Sequence, residues 1–254
     1  MIALLLAAIP LIPTPAPPMG TPTPGLISER AVLQNGIDAA QARASALGGT
    51  LGVTIVDLTT GASATRNGDA NLPMGSTQNL VVAALAYRDA EALPQDVVAR
   101  ALLNDDGSAA KELIGLSGGA EAVNAELRAL ALDAIFIAPR DAGYASPNAL
   151  ARFLSALAGG EFVPPAETKS LLDLLARVAL GPARLRAGLP PATRLSHATG
   201  TTKDGIVDAG VAYVNGRTMI VVAMLDGTHG SDADGDAVIA AVARAAADAA
   251  GANF

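Results

Sequence analysis

The 254-residue chain is 51% hydrophobic and only 16% charged, so it can bury a sizeable core and is not a disordered tail. Its formal net charge of -7 argues against nucleic acid as a partner, because a phosphate backbone is bound by a basic surface. The absence of Cys excludes disulfides, thiolate catalysis and Cys-ligated metals. The two histidines, His197 and His229, lie far apart in sequence, so we predict neither a metal site nor a cofactor.

Residues 1–25 predict an export signal followed by a Pro/Thr-rich linker. Ile2 to Ile12 form an apolar run that is too short to span a bilayer, and Pro13 to Pro24 has the composition of an extended linker. The run lacks the positive charge of a normal signal peptide, so a cytosolic protein with a disordered apolar tail is the alternative. We expect a periplasmic or secreted protein without a transmembrane anchor, with residues 26–254 as a single domain.

The predicted elements begin with a helix from about Ser28 to Leu47, which Gly48-Gly49 ends. Leu51 to Leu58 alternates and predicts a strand, and Ser63 to Asn67 can return beside it. Helical spacing without internal Pro then predicts helices at Ser76–Asp89, Pro94–Leu103, Ser108–Leu116, Ala120–Leu130, from Pro147 onward and at Pro165–Val178.

The last third of the chain returns to strands and ends in a helix. Stretches rich in Val and Ile predict strands at Arg194–Thr199, Ile206–Val214 and Thr218–Leu225. Asn215-Gly216 between the last two is a strong hairpin signal, because both turn positions need a positive φ. A final helix is predicted at about Asp234–Ala249.

This order of elements predicts an α+β fold. The two groups of strands would form one antiparallel five-stranded sheet, flanked by the N- and C-terminal helices, and the central helices would form an all-helical lobe. Residues 26–70 and 190–254 would make the sheet lobe and residues 71–189 the helical lobe.

Three stretches resemble one known family, the class A β-lactamases and penicillin-binding protein transpeptidases. Leu51–Gly61 is similar to the family's first hairpin, and Leu72–Asn79 to the segment that enters its nucleophile helix. Leu195–Thr201, followed by Asp208-Ala-Gly210, is similar to the strand that bears its K-T-G motif. The resemblance covers Ser28–Ala249 and implies a serine β-lactamase fold with degenerate catalytic motifs.

The family's S-x-x-K motif corresponds to Ser76–Asn79. Ser76 matches the nucleophile, but Asn79 stands where the family has Lys, and an amide cannot act as a base near neutral pH. Ser76 is therefore a candidate nucleophile, a plain helix N-cap, or both at once.

Two further motifs of the family are also degraded. Its S-D-N corresponds to Asp105-Asp106-Gly107, which is either a polar loop at the start of a helix or, less simply, a pair of general bases. Its loop with a water-activating Glu has no counterpart of the right type, because no Glu occurs between Glu126 and Glu161.

The family's K-T-G corresponds to Ala198-Thr199-Gly200, which keeps the Thr and Gly but lacks the cation that binds the substrate carboxylate. The resemblance implies an oxyanion hole formed by the N–H groups of Ser76 and Thr201. His197 is interpreted as a polar residue on the opposite face of the strand rather than as a catalytic group.

We therefore expect a catalytically impaired protein that binds a cell-wall peptide, a β-lactam-like small molecule or a protein partner. The first alternative is an active serine hydrolase in which Lys111, Lys203 or Asp105 helps Ser76. The second is a purely structural domain with its pocket filled by apolar side chains.

Deleting residues 1–25 should leave the folded domain intact, because this segment is Pro-rich, uncharged and without helical or strand periodicity. Thermal melting of the truncated and full-length chains should give midpoints that agree within a few degrees. A large drop in the melting temperature of the truncated chain would show that the segment belongs to the folded core.

Overall fold

The computed structural model describes residues 24–89, 93–139 and 143–252. Apart from residues 24 and 25, the predicted export segment lies outside the described residues. Within these three ranges, none of the helices combines the length and the apolar character that crossing a bilayer requires.

A five-stranded antiparallel sheet forms the centre of the fold, as the sequence predicts. Its strand order is β2-β1-β8-β7-β6, so the two sequence-distant groups of strands pair directly through β1 and β8. Asn215 and Gly216 both have positive φ and join β7 to β8. The five strands are β1 (Thr50–Asp57), β2 (Ser63–Arg66), β6 (Arg194–Thr201), β7 (Gly205–Val214) and β8 (Arg217–Asp226).

The helices divide between the two faces of this sheet. The first and last helices, α1 and α8, pack on one face of the sheet and form one buried hydrophobic cluster with it. The other six pack on the opposite face around a second cluster. The helices are α1 (Pro24–Ala46), α2 (Gln78–Asp89), α3 (Gln95–Leu103), α4 (Gly107–Leu116), α5 (Ala120–Ala129), α6 (Pro147–Ala158), α7 (Pro165–Leu175) and α8 (Asp232–Ala249).

The helical lobe also contains a small three-stranded sheet that the sequence does not predict. Its order is β3-β5-β4, with strands Leu72–Gly75, Gly143–Ala145 and Ile135–Phe136. Strands of two to four residues are too short to show an alternating pattern, and their pairing joins distant parts of the chain. This sheet matters for function because β3 leads directly into Ser76.

Candidate active site

The candidate site lies where β3 meets the end of β6, and two glycines permit this contact. A Cβ on Gly200 would lie 2.1 Å from the carbonyl oxygen of Met74. A Cβ on Gly75 would lie 2.8 Å from the backbone nitrogen of Thr201, and Gly75 has a φ of +53°. Side chains at these positions would force the two strands apart. The backbones on either side of Ser76 and Thr201 are thus brought together, as an oxyanion hole requires.

Ser76 is half-buried, between the end of β3 and the start of α2. Its backbone carbonyl accepts a hydrogen bond from the N–H of Asn79, so Ser76 forms part of the first turn before the helix. Its hydroxyl makes no hydrogen bond to a described residue. The hydroxyl therefore has no direct partner, within the described part of the chain, that could take its proton.

The amide of Asn79 bonds to α3. Its side chain is 3% exposed, and Nδ2 donates a long hydrogen bond of 3.5 Å to the carbonyl oxygen of Ala101. Asn79 thus links α2 to α3, and this is a structural contact. It leaves the position one turn after Ser76 without a base.

An open cleft of about 240 Å³ lies beside Ser76. Asp105 and Lys111 are the two ionisable side chains among the described residues that line it. Its polar wall also includes Asn79 and Thr201, and its apolar wall comes from Ala110, Ile114, Ala138 and Pro139. The cleft is open and lined by both polar and apolar residues. This argues against the alternative of a purely structural domain whose pocket is filled by apolar side chains.

The two neighbouring aspartates of the degraded S-D-N motif point to different places. Asp106 is the N-cap of α4, where its side chain accepts from the N–H groups of Ser108 and Ala109. Hydrogen bonds from the Ser108 hydroxyl and the Arg100 guanidinium hold the pKa of Asp106 well below its usual range. Asp106 is therefore a capping carboxylate, whereas Asp105, with a φ of +52°, lines the cleft.

The four residues predicted to bind substrate lie at the end of edge strand β6. Ala198 is buried against the helical lobe, Thr199 is half-buried and Thr201 is exposed in the cleft wall. Of the three alternative helper groups, Asp105 and Lys111 line the cleft, whereas Lys203 is exposed and lies outside its lining.

Arg184 holds this end of β6 by hydrogen bonds. The sequence analysis did not predict this residue. Its guanidinium donates to the carbonyl oxygen of Gly200 at 2.9 Å and to the hydroxyl of Thr201 at 2.9 Å, and it pairs with Asp236 at 2.8 Å. It is 8% exposed. A cation therefore lies directly behind the cleft wall although Ala198 supplies none. The sequence offered three arginines between α7 and β6 and no pattern that singles out this one.

His197 forms a buried pair with Asp208 beneath the same strand. Nδ1 of His197 lies 2.8 Å from Oδ1 of Asp208, and both residues are almost fully buried. Because a carboxylate only accepts, Nδ1 carries the hydrogen. Oδ2 of Asp208 accepts from the N–H of Leu185 at 3.1 Å, so the pair also holds the segment that carries Arg184.

Comparison with known proteins identifies the family. The sequence profile of the β-lactamase enzyme family matches residues 94–250, more than half of the chain. The chain belongs to the β-lactamase enzyme family.

Individual β-lactamases agree with this assignment. The chain is 29% identical over 248 residues to β-lactamase AST-1 of Nocardia asteroides, with 80% of each protein covered. The structure of a reconstructed class A β-lactamase from the last common ancestor of Gram-negative bacteria superimposes with a TM-score of 0.76 at 26% identity, covering 84% of this chain and 98% of that one. A β-lactamase from Chitinophaga pinensis has the same fold, with a TM-score of 0.79, 22% identity, and 85% and 100% of the two chains covered.

The resemblance to the family's motifs can be compared with the observed geometry. The β3–β6 contact and the serine before α2 are present, and the lysine positions of the S-x-x-K and K-T-G motifs are both occupied by buried uncharged residues. Among the described residues, no cluster of three or more His, Cys, Asp or Glu side chains could hold a metal ion.

Replacing Asp208 with Ala should destabilise the protein by about 3–5 kcal/mol, because His197 and the N–H of Leu185 would lose a buried partner. Urea unfolding followed by circular dichroism measures the loss. The control is Lys169→Ala, which removes an exposed ion pair with Asp173 and should change the free energy of unfolding far less. Equal, small effects of the two substitutions would contradict the structural role of the His197–Asp208 pair.

Proposed function

We propose that this protein is an exported, ligand-binding member of the β-lactamase family whose hydrolytic turnover is severely impaired. The observation that carries the proposal is the surroundings of the Ser76 hydroxyl: it has no described hydrogen-bond partner, and Asn79 is bonded to α3. A serine hydroxyl is a weak nucleophile until a neighbouring group takes its proton. The apolar run at residues 2–12 supports a location outside the cytoplasm.

Binding is supported by what the site retains. The cleft is open beside Ser76, and the close contact of β3 with β6 brings the backbones of Ser76 and Thr201 together, where their N–H groups would polarise a carbonyl. An acyl compound can therefore be oriented in the cleft even where its hydrolysis is slow. The relatives AST-1 and the reconstructed ancestor are β-lactamases, which favours a β-lactam-like molecule or a cell-wall peptide as the ligand class.

A second candidate function is serine hydrolysis with Lys111 as the relocated helper. The observation in its favour is that Lys111 lines the same cleft as Ser76. A lysine acts as a base where burial or a neighbouring cation favours the neutral amine. Lys111 is exposed and makes no hydrogen bond to the Ser76 hydroxyl. We therefore prefer the binding function.

Incubation of the wild-type protein with benzylpenicillin should give no stoichiometric adduct on Ser76, and nitrocefin hydrolysis should stay at the level of a Ser76→Ala variant. The reason is the missing base, whose loss in serine hydrolases costs up to about 10⁶-fold in rate. Intact-protein mass spectrometry and absorbance measure the two outcomes. Rapid labelling of wild-type Ser76 would overturn the proposal that hydrolytic turnover is impaired and would favour hydrolysis assisted by Lys111.

A gain-of-function experiment tests whether the absence of the two lysines causes the low acylation rate expected for Ser76. Asn79→Lys combined with Ala198→Lys should raise the acylation rate more than either single change, because residues that act as a unit are non-additive. Both positions are buried, so each variant is first checked for its thermal melting midpoint. Folded double variants that still label at background would show that other features block the reaction.

A further inference from the structure

Among the described residues that line the cleft, one side chain is positive and one is negative, and no described residue neutralises either. Asp105 and Lys111 both line the cleft and both are exposed. Neither makes an ion pair or a hydrogen bond to a described side chain, and they form no ion pair with each other. The adjacent carboxylate, Asp106, is instead paired with Arg100 and bonded to the start of α4.

The local backbone brings both side chains to the cleft. Asp105 precedes α4 in a left-handed conformation, which presents it beside the cleft while the next residue caps the helix. Lys111 lies one turn after the first residue of α4, Gly107, and therefore on the same side of the helix as that residue, which also lines the cleft. A carboxylate and an ammonium thus line a single cavity without pairing with each other.

We propose that the cleft binds a zwitterionic ligand, with its ammonium group at Asp105 and its carboxylate at Lys111. The inference rests on the proposed binding function and gives its ligand class. Ile114, Ala138 and Pro139 provide an apolar surface for the part of the ligand between its charges. A ligand of this kind satisfies both charged groups of the wall.

Ligands with a single charge fit this wall less well. An anion is attracted by Lys111 but faces Asp105 and a chain of net charge -7, and a cation faces the ammonium of Lys111. Each of the two contacts is partly exposed to solvent, so each should change affinity by about threefold to tenfold. Their contribution should weaken as the salt concentration rises.

Ampicillin and benzylpenicillin are a matched pair of probes, since they differ only by the α-amino group of ampicillin. Both are titrated calorimetrically into the full-length protein with Ser76→Ala, which removes any acylation. We expect ampicillin to bind about threefold to tenfold more tightly. Asp105→Asn should abolish this preference, and Lys111→Gln should weaken both penicillins by a similar factor. Glu112→Gln is the matched control, because Glu112 is exposed on α4 and lies outside the cleft lining.

A second pair of probes removes the dependence on the β-lactam ring. D-alanyl-D-alanine is a zwitterion, and its N-acetyl derivative keeps only the carboxylate. Tighter binding of the amine-bearing member of either pair, lost on Asp105→Asn and kept on Glu112→Gln, supports the proposal. Equal affinities within both pairs would overturn it and leave the proposed binding function standing. No binding of any of the four compounds at millimolar concentration would overturn both.

Discussion

The backbone contact between β3 and β6 is the constraint on which the site depends. It joins the helical lobe to the large sheet at Gly75 and Gly200, two positions where a Cβ would collide with backbone atoms of the other strand. Because α2 follows directly from β3, this contact also decides where Ser76 lies relative to Thr201. The geometry of an acyl-binding site can therefore persist while the side chains around it change, since backbone atoms form it.

The side chains that have changed give the cleft a different chemistry. The position that carries the family's lysine after the serine is filled by Asn79, whose amide contributes to helix packing. The charged groups lie at other positions. Lys111 and Asp105 line the cleft, and Arg184 donates a hydrogen bond to the hydroxyl of Thr201. Considered by itself, the carboxylate of Asp105 would repel an anionic ligand. With Lys111 on the same wall, that repulsion is offset for a ligand whose own charges match the pair.

Local patterns were sufficient for the large elements. Alternation along β1 and the Asn215-Gly216 turn predicted the strands, and the order of the elements predicted their pairing into one sheet. The small sheet was missed because β4 has only two residues and β3 pairs with β5 from a distant part of the chain. Arg184 was beyond reach for the same physical reason, and Lys111 was predicted only as one of three alternative helpers of Ser76. Nothing in an isolated Arg or Lys records which loop or helix face will be opposite a serine in the folded chain.

The His197–Asp208 pair illustrates an intermediate case. Alternation along β6 placed His197 on the opposite face from Ala198, and the structure shows that this polar side chain is buried. The partner on β7 is 11 residues away across a turn, at a distance that sequence spacing does not reveal. Asp208 also accepts a hydrogen bond from the N–H of Leu185, so the pair fixes the segment that carries Arg184 next to β6.

The most direct test of this account is a crystal structure of the wild-type protein soaked with ampicillin. We expect an intact β-lactam ring held non-covalently in the cleft, with the amino group of the ligand near Asp105 and its carboxylate near Lys111. Continuous electron density from the Ser76 hydroxyl oxygen to an opened ring would contradict the account, because it would show that a base activates this serine.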